Sequence, residues 1–339
     1  MITGVLERVV SGETLGQGEM GQVIRSIVSG GENELQIAAL LAALRTRGET
    51  VDEISGAAAA MRELAVRLPR APARAVDTAG TGGDGADTFN ISTVAALVVA
   101  GAGVPVCKHG NRAASSRCGS AELLEELGIR LDTPPLRMAE AVEAVGIGFL
   151  YARACHPAMA AVGGIRAALG VPTLFNRLGP LINPMGVRRQ LLGVGRAEHA
   201  ADALEVLVRL DAESIWIVHG EDGLDEVSTV APTRVLAYVD GETQRFTIEP
   251  GVHVAKAQPG DLAGGGPEQN ARIAVEVLAG EKGPRRDVVV INAAAALCAA
   301  RHVADLAQGV AAAEASLDSG AARDKLARWV EFVSPGAAA

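Results

Sequence analysis

The sequence is poor in aromatic residues and has no long apolar run. Aromatic side chains make up only 3% of the 339 residues, while alanine, valine, leucine and glycine dominate. Small aliphatic side chains of this kind suit helices packed closely on a parallel sheet and do not favour a β-sandwich. No apolar stretch reaches the roughly 18 residues needed to cross a bilayer, and the N-terminus does not resemble a signal peptide. We therefore expect no membrane partner.

Cysteine is also scarce, and its spacing excludes the common cysteine motifs. The four cysteines form no CxxC pair and have no metal-ligand spacing; they are Cys107, Cys118, Cys155 and Cys298. Free thiols are typical of a reducing compartment, so we predict a cytoplasmic protein. The formal net charge of −9 argues against a nucleic-acid partner, which would need a basic face.

Acidic residues are missing from one stretch, although the chain as a whole is acidic. The 34 residues from 88 to 121 contain no carboxylate. They include residues 108–120, KHGNRAASSRCGS, with one Lys, one His, two Arg and three Ser. A glycine-rich run, GTGGDGADTFNIST, occupies residues 80–93 just before. An anionic ligand is the simplest explanation for a basic, hydroxyl-rich region in an acidic chain.

The glycine run formally satisfies the GxGxxG pattern, but a dinucleotide site is not the favoured interpretation. Such a site needs a helix that opens within the pattern and an acidic residue about 20 positions later. Here the helix is predicted to begin near Asn90, and the next strand ends at Lys108. A lysine could accommodate an NADP phosphate, so this alternative stays open. The glycines are also consistent with backbone amides that approach an anion closely.

Hydrophobic periodicity predicts helices only for residues 1–68, followed by alternating strands and helices. Thr50 and Glu53 predict a capping box before a helix that continues to residue 68, and Ser120 is the predicted cap of a helix ending near residue 127. The predicted strands are residues 75–78, 104–107, 147–151, 190–194 and 214–219, with a hairpin at 234–248 that turns at Asp240-Gly241. Three terminal helices are predicted near 267–279, 287–300 and 303–332, the last with a break at Ser319-Gly320. The predicted fold is α/β, with a mostly parallel central sheet and a smaller all-helical domain.

Six motifs occur in order along the chain, and together they resemble anthranilate phosphoribosyltransferases. They are GTGGDG at 80–85, NIST at 90–93, KHGNRAASS at 108–116, FNRLGPLINP at 175–184, HGEDGLDE at 219–226 and GGGPEQNA at 264–271. The resemblance implies transfer of the 5-phosphoribosyl group of PRPP to the amine of anthranilate, giving N-(5-phosphoribosyl)anthranilate and pyrophosphate. That reaction belongs to L-tryptophan biosynthesis and uses Mg²⁺ as its cofactor.

The same resemblance implies a fold like that of class II nucleoside phosphorylases. It divides the chain into a small helical domain of residues 1–70 and 163–187 and a large α/β domain of residues 71–162 and 188–339. The large domain is expected to carry the PRPP and Mg²⁺ site. The small domain is expected to form a homodimer.

The resemblance also assigns roles to individual residues. The PRPP ligands are expected to be Gly80, Gly83, Asp84, Thr88, Asn90, Ser92, Thr93, Lys108, Ser116 and Ser120. The anthranilate ligands are expected to be Gly80, His109, Asn111 and Arg166, and the Mg²⁺ ligands Ser92, Asp225 and Glu226. Pairing of a guanidinium with the anthranilate carboxylate suits the planar fork of arginine.

Without the resemblance, Arg166 would be interpreted as a surface helix residue and the Asp225-Glu226 pair as a solvated turn. No catalytic base is assigned, because an aryl amine is already a neutral nucleophile at pH 7. His109 is the alternative candidate for that role.

Three positions depart from the family pattern: Ala79, Arg177 and Ile182. Arg177 stands where an apolar residue is frequent and is expected to alter hinge or interface contacts. Two other functions stay open at this stage. One is a nucleoside phosphorylase of the same fold, and the other is a nucleic-acid-binding relative that has lost catalysis.

Overall fold

The computed structural model describes residues 1–113 and 116–334. Two residues of the KHGNRAASS motif, Ala114 and Ser115, therefore lie outside the described residues. No helix in the described ranges combines the length and the apolarity needed to cross a membrane.

Within those ranges, seven strands form one sheet. Their bounds are Val76–Gly80 (β1), Val106–Gly110 (β2), Ile147–Tyr151 (β3), Arg189–Gly193 (β4), Ser214–Gly220 (β5), Thr233–Val239 (β6) and Glu242–Ile248 (β7). The spatial order is β3-β2-β1-β4-β5-β6-β7. Strands β1 to β5 pair in parallel, and β6 and β7 extend the sheet antiparallel. The mostly parallel α/β fold is thus confirmed.

Helices cover both faces of the sheet and build the N-terminal region. Their bounds are Ile2–Val10 (α1), Gln17–Val28 (α2), Glu34–Arg47 (α3), Val51–Glu63 (α4), Ile91–Gly101 (α5), Ser120–Glu126 (α6), Pro135–Ala144 (α7), Ala152–Cys155 (α8), Ala160–Leu169 (α9), Leu174–Leu178 (α10), His199–Arg209 (α11), Pro267–Leu278 (α12), Pro284–Ala299 (α13), Leu306–Asp318 (α14) and Ala321–Val333 (α15). Two single 3₁₀ turns, Pro157–Met159 and Gly179–Leu181, precede and follow the α9–α10 segment.

Several local predictions are visible as hydrogen bonds and dihedral angles. The Thr50 hydroxyl accepts from the Glu53 amide at 3.3 Å, and the Glu53 carboxylate accepts from the Thr50 amide at 2.8 Å. The β6–β7 turn places Asp240 and Gly241 at φ of 50° and 92°, as a type I′ turn requires. Gly320, at φ 79°, separates α14 from α15 where the break was predicted.

The cap of α6 differs from the prediction. Gly119, not Ser120, is the capping residue, and its amide donates to the Glu122 carboxylate at 3.0 Å. Ser120 is the first helical residue, and its hydroxyl accepts instead from the Thr93 hydroxyl at 3.1 Å. The glutamate three residues after the cap therefore satisfies the end of the helix without a side chain at the cap itself.

Two large apolar cores lie on opposite faces of the sheet. One contains α5, α12 and α13 and the C-terminal helices. The other joins α11 and the underside of β4, β5 and β6 to helices α1 to α4 and to α9 and α10. Helix α9 packs against α2 and α3, and α10 packs against α3 and α4.

Candidate active site

The carboxyl end of β1 leads into the glycine-rich loop. Gly82, Gly83 and Gly85 have φ of 62°, 73° and 70°, a left-handed conformation that favours glycine. The Asp84 carboxylate accepts from the Ala86 amide at 3.2 Å, which closes a local turn. The loop thus presents backbone amides at the edge of the sheet where ligands of α/β proteins bind.

Asp225 lies directly against this loop. Its Oδ2 accepts a hydrogen bond from the Gly82 amide at 2.7 Å. A Cβ atom at Gly80 would stand only 2.5 Å from the same Oδ2, and a Cβ atom at Gly193 would overlap the Asp225 backbone. Glycine at the ends of β1 and β4 therefore allows the segment after β5 to reach the loop after β1.

Glu226, Ser92 and Lys108 come together beside Asp225. Glu226 Oε1 accepts from the Ser92 amide at 3.1 Å, near the start of α5. Lys108, on β2, is only 3% exposed, and its ammonium donates to the Thr78 carbonyl and lies 3.3 Å from Ser92 Oγ. The structure thus joins two expected PRPP residues, Ser92 and Lys108, with all three expected Mg²⁺ ligands, because Ser92 is expected to serve both.

Burial shifts the ionisation of every charged group in this cluster. Burial, with the neighbouring Asp84, raises the pKa of Asp225 to about 6. Burial, with Asp225 beside it, raises the pKa of Glu226 to about 8. Burial also lowers the pKa of Lys108, against the attraction of Asp77 and Glu226. An added cation would favour the ionised form of both carboxylates.

Thr88 and Asn90 lie between the glycine loop and α5. Thr88 forms a β-bridge with Ala263. The Asn90 amide donates to the Cys118 carbonyl at 2.9 Å and accepts from the Asn270 side chain at 2.9 Å. Both ends of the Asn90 amide are therefore engaged within the protein, so its side chain connects the start of α5 to helix α12 and to the segment before α6. Its expected contact with PRPP stays a prediction.

Asn270 is a supporting residue that the sequence motifs contained but did not single out. It is buried at the start of α12, and its Oδ1 accepts from the Gly265 amide at 2.8 Å. Gly264 lies so close to Phe89 that a Cβ atom there would be 2.6 Å from the Phe89 amide nitrogen. The GGG run before a proline is the signal for this close approach.

Ser116 and Asn111 lie at the exposed rim of the site. Ser116 Oγ is 3.5 Å from the Cys118 carbonyl, and Asn111 Oδ1 accepts from the Arg112 amide at 2.9 Å. Both residues follow β2, on the same edge of the sheet as Gly83 and Asp84. Both residues are exposed, which makes their side chains accessible to a ligand.

His109 sits beneath this rim as a neutral imidazole. Its Nδ1 lies 2.9 Å from the Gly179 carbonyl, so Nδ1 carries the proton and donates. Its Nε2 is buried without a hydrogen-bond partner among the described residues. The ring stands edge-on to that of His156, with the centroids 5.1 Å apart. Burial lowers the pKa of His109 to about 3 and that of His156 to about 4.

Arg166 is half-buried on α9 and has no ion-pair partner among the described carboxylates. Its terminal nitrogen is 3.4 Å from Asn176 Oδ1, and its guanidinium carbon is 5.8 Å from the centre of the Phe175 ring. Its Nε is buried without a partner in the part of the chain described. Burial lowers the pKa of this arginine, so an incoming carboxylate would be a favourable partner.

Arg177 forms ion pairs with two other parts of the chain, while the expected change in hinge or interface contacts stays a prediction. One guanidinium nitrogen lies 2.7 Å from Asp202 on α11, and another lies 3.5 Å from Glu49 before α4. This ion-pair network ties α10 to the sheet-covering helix α11 and to the N-terminal helices.

Known protein families match both the N-terminal helical region and the α/β region of the chain. The model of a glycosyl transferase family a/b domain matches residues 72–323, and that of a glycosyl transferase family helical bundle domain matches residues 3–65. An anthranilate phosphoribosyltransferase of Desulfosudis oleivorans is 50% identical over 337 residues, which covers 98% of each chain. One of Moorella thermoacetica is 48% identical over 339 residues, which covers 100% of each. This chain belongs to the anthranilate phosphoribosyltransferase family.

Solved structures of the family share the fold. The enzyme of Thermus thermophilus superposes with a TM-score of 0.90 at 45% identity, over 97% of this chain and 98% of that one. The Saccharomyces cerevisiae enzyme in complex with PRPP and Mg gives a TM-score of 0.87 at 30% identity, over 98% and 97%. The same yeast enzyme with 4-fluoroanthranilate gives 0.86 at 29% identity, with the same coverage. The predicted family is therefore confirmed.

Proposed function

We propose that this chain transfers the 5-phosphoribosyl group of PRPP to the amine of anthranilate, with release of pyrophosphate. The product is N-(5-phosphoribosyl)anthranilate, an intermediate of L-tryptophan biosynthesis. The observation that carries this function is the convergence of the glycine loop, Lys108, Ser92 and the Asp225-Glu226 pair at one edge of the sheet. Amides, hydroxyls and a cation are the groups that recognise a sugar pyrophosphate.

PRPP binds along this edge. The exposed backbone of Gly80 and Gly83 and the side chain of Asp84 face the ribose and its pyrophosphate. The phosphates are held by hydroxyls and amides of the α5 start and by the rim after β2. These groups belong to Thr88, Asn90, Ser92, Thr93, Lys108, Ser116 and Ser120. The N-terminus of α5 adds a partial positive charge.

The residues present fit Mg²⁺. Their donors are hard oxygen atoms: the two carboxylates of Asp225 and Glu226 and the hydroxyl of Ser92. Within the described residues, no three His, Cys, Asp or Glu side chains form a complete metal site. Magnesium is normally held by one or two carboxylates together with substrate phosphates, so an incomplete protein site is what PRPP binding calls for. When bound, Mg²⁺ supplies charge neutralisation for the departing pyrophosphate.

Anthranilate enters between α9 and the β2 rim. Arg166 pairs with its carboxylate, since the guanidinium is unpaired by any described acid and partly desolvated. Asn111 and the Gly80 backbone orient the ring and the amine. His109 keeps Nδ1–H on the Gly179 carbonyl, which leaves the Nε2 lone pair to accept a hydrogen bond from the substrate.

The chain's own residues act on the reaction by positioning and by charge. Displacement of pyrophosphate builds positive charge on the ribose and negative charge on the leaving group. Lys108 and the loop amides stabilise the negative charge. A strong base is unnecessary for an aryl amine. With its pKa lowered to about 3, His109 is a poor proton acceptor, which favours a positioning role.

The wider organisation of the molecule follows from the same proposal. Residues 1–70 and 163–187 form a small helical domain, and residues 71–162 and 188–339 form the α/β domain. Packing of α9 and α10 on α2 to α4 supports this division. The helical domain forms a homodimer, and the protein works in the cytoplasm on PRPP and anthranilate, without a nucleic-acid or membrane partner.

A turnover assay tests the function directly. Anthranilate fluorescence is followed with PRPP and Mg²⁺ present, and with each omitted in turn. We expect loss of fluorescence only in the complete mixture, with stoichiometric pyrophosphate. Absence of turnover by a folded protein that also fails to bind PRPP would refute the proposal.

A further inference from the structure

One buried amide stands behind the Asp225-Glu226 pair. Asn292 is 0% exposed and is flanked on α13 by apolar residues only, in the run VVVINAAAALCAA at 288–300. An unpaired amide in such surroundings would strongly destabilise the fold. The hydrogen bonds of the Asn292 side chain therefore explain why a polar residue occupies this position.

These hydrogen bonds form a clamp on a single residue, Val227, in the segment after β5. Asn292 Oδ1 accepts from the Val227 amide at 2.8 Å, and Nδ2 donates to the Val227 carbonyl at 2.8 Å. Nδ2 also donates to the Val288 carbonyl of its own helix at 2.9 Å. The side chain thus holds both backbone polar groups of Val227, as a neighbouring strand would.

Val227 directly follows the two carboxylates. Asp225 and Glu226 are fixed in front by the amides of Gly82 and Ser92. Asn292 fixes the backbone from behind, through a helix that packs on β1, β4 and β5. The loop that carries both carboxylates is therefore attached to the rigid core on two sides.

We propose that Asn292 is a positioning residue that sets the Mg²⁺ affinity of the PRPP complex by holding the backbone of residues 225–227. The inference rests on the proposed function of the site. Two like charges side by side tend to move apart, and a fixed backbone keeps both oriented toward one cation. Loss of a supporting group of this kind typically weakens metal binding roughly 10- to 100-fold.

The test variant is Asn292→Ser. A serine hydroxyl can still donate to the Val288 carbonyl of its own helix, but it is too short to reach Val227. Binding of PRPP is measured by calorimetry without anthranilate, over a series of Mg²⁺ concentrations. We expect the Mg²⁺ concentration for half-maximal PRPP binding to rise about 10-fold or more. The KM for anthranilate at saturating Mg²⁺ should change less than about twofold.

Ser316→Ala is the matched control. Ser316 is also buried, and its hydroxyl donates to the Val98 carbonyl at 2.8 Å, on the α14 side of α5. The substitution removes a comparable buried hydrogen bond at a site distant from the two carboxylates. The thermal stability should therefore fall, while the Mg²⁺ titration stays unchanged. Asn292→Leu, which lacks every bond of the amide, should shift the titration at least as far as Asn292→Ser.

An unchanged Mg²⁺ titration in folded Asn292→Ser would overturn the positioning role, and so would an equal shift in Ser316→Ala. If neither Asn292 variant folds, the clamp is a determinant of folding and the proposal fails. If the unmodified chain binds no PRPP at any Mg²⁺ concentration, the proposed function itself is wrong. The two failures are thus distinguishable.

Discussion

The Asp225 carboxylate accepts a hydrogen bond from the Gly82 amide at 2.7 Å, which joins the segment after β5 to the glycine loop after β1. These residues are 143 positions apart in the chain. The contact brings an acidic segment against a loop whose Gly83 and Gly85 amides donate no hydrogen bond to any described residue. Such a juxtaposition is useful only if a cation comes with an anion, which is the situation of PRPP with Mg²⁺.

Removal of both carboxylate charges should raise the requirement for Mg²⁺. In the variant Asp225→Asn with Glu226→Gln, the side chains keep their size but lose their attraction for the cation. We expect the half-saturating Mg²⁺ concentration for turnover to rise at least about 10-fold. Steady-state rates over a Mg²⁺ series measure it. A titration curve identical to that of the unmodified chain would count against this metal site.

Gly80→Ala should damage the same contact by steric means. The new Cβ atom would stand 2.5 Å from Asp225 Oδ2, so either the carboxylate or the loop must move. A displacement of about 1 Å in a site of this kind can lower kcat/KM roughly 100-fold. Gly18→Ala in α2 is the control, because a Cβ atom there meets nothing within 4 Å. Equal activity of the two variants would show that the close approach is unimportant.

Arg166→Ala should weaken anthranilate and spare PRPP. A charge-assisted hydrogen bond contributes about 1.5–3 kcal/mol, so the KM for anthranilate should rise roughly 10- to 100-fold. The KM for PRPP should stay within about threefold of its original value. Arg166→Lys should recover only part of the loss, because an ammonium cannot pair with both carboxylate oxygens in a plane. Parallel losses for both substrates would refute the assigned role.

The buried histidines should make stability depend on pH. The pKa of His156 is about 4 in the folded chain and near 6.5 in the unfolded one, so the folded state binds fewer protons between these values. The free energy of unfolding should therefore decrease as the pH falls from 6.5 to 4. The contribution of His156 is roughly 2–4 kcal/mol.

Urea unfolding of His156→Asn at pH 7.5 and pH 5 measures this contribution. The variant should lose less stability on acidification than the unmodified chain, whatever its stability at neutral pH. His253→Asn, in the loop after β7, serves as the control. If the unmodified chain and His156→Asn lose equal amounts, the histidine does not enter the folded state as a neutral group.

Local features were predictable from the sequence because their causes are local. The Thr50–Glu53 capping box and the Asp240-Gly241 turn depend on residues at most three positions apart. The alternation of strands and helices predicted the α/β fold, and the ordered motifs predicted the family. The wrong cap of α6 shows the limit of this reasoning. Ser120 is a good capping residue by type, but its hydroxyl is committed to Thr93, 27 positions away.

Contacts between residues far apart in the chain could not be predicted, because their causes are not local. Asn270 and Asn90 are 180 positions apart, and Asn292 and Val227 are 65 apart. Asn292 shows in the sequence only as a polar residue in an apolar run, and Asn270 and Asn90 as polar residues among other polar ones, without any sign of their partners. Hydrophobic periodicity also did not separate α1 from the other helices of residues 1–68. Helix α9 follows a 3₁₀ turn at Pro157. The ligands of the individual site residues stay predictions.

The Arg177 ion pairs provide a test of the coupling between the helices around the site. Arg177 is partly buried and lies 2.7 Å from Asp202 and 3.5 Å from Glu49. Replacement by leucine removes both pairs and leaves Glu49 without this partner. We expect Arg177→Leu to lower the free energy of unfolding by about 1 kcal/mol. A double-mutant cycle with Asp202→Ala should give a coupling energy of about 0.5–1 kcal/mol, which decreases in roughly 0.5 M NaCl. Strictly additive effects at low salt would mean that the pair contributes nothing to the packing of α10 on α11.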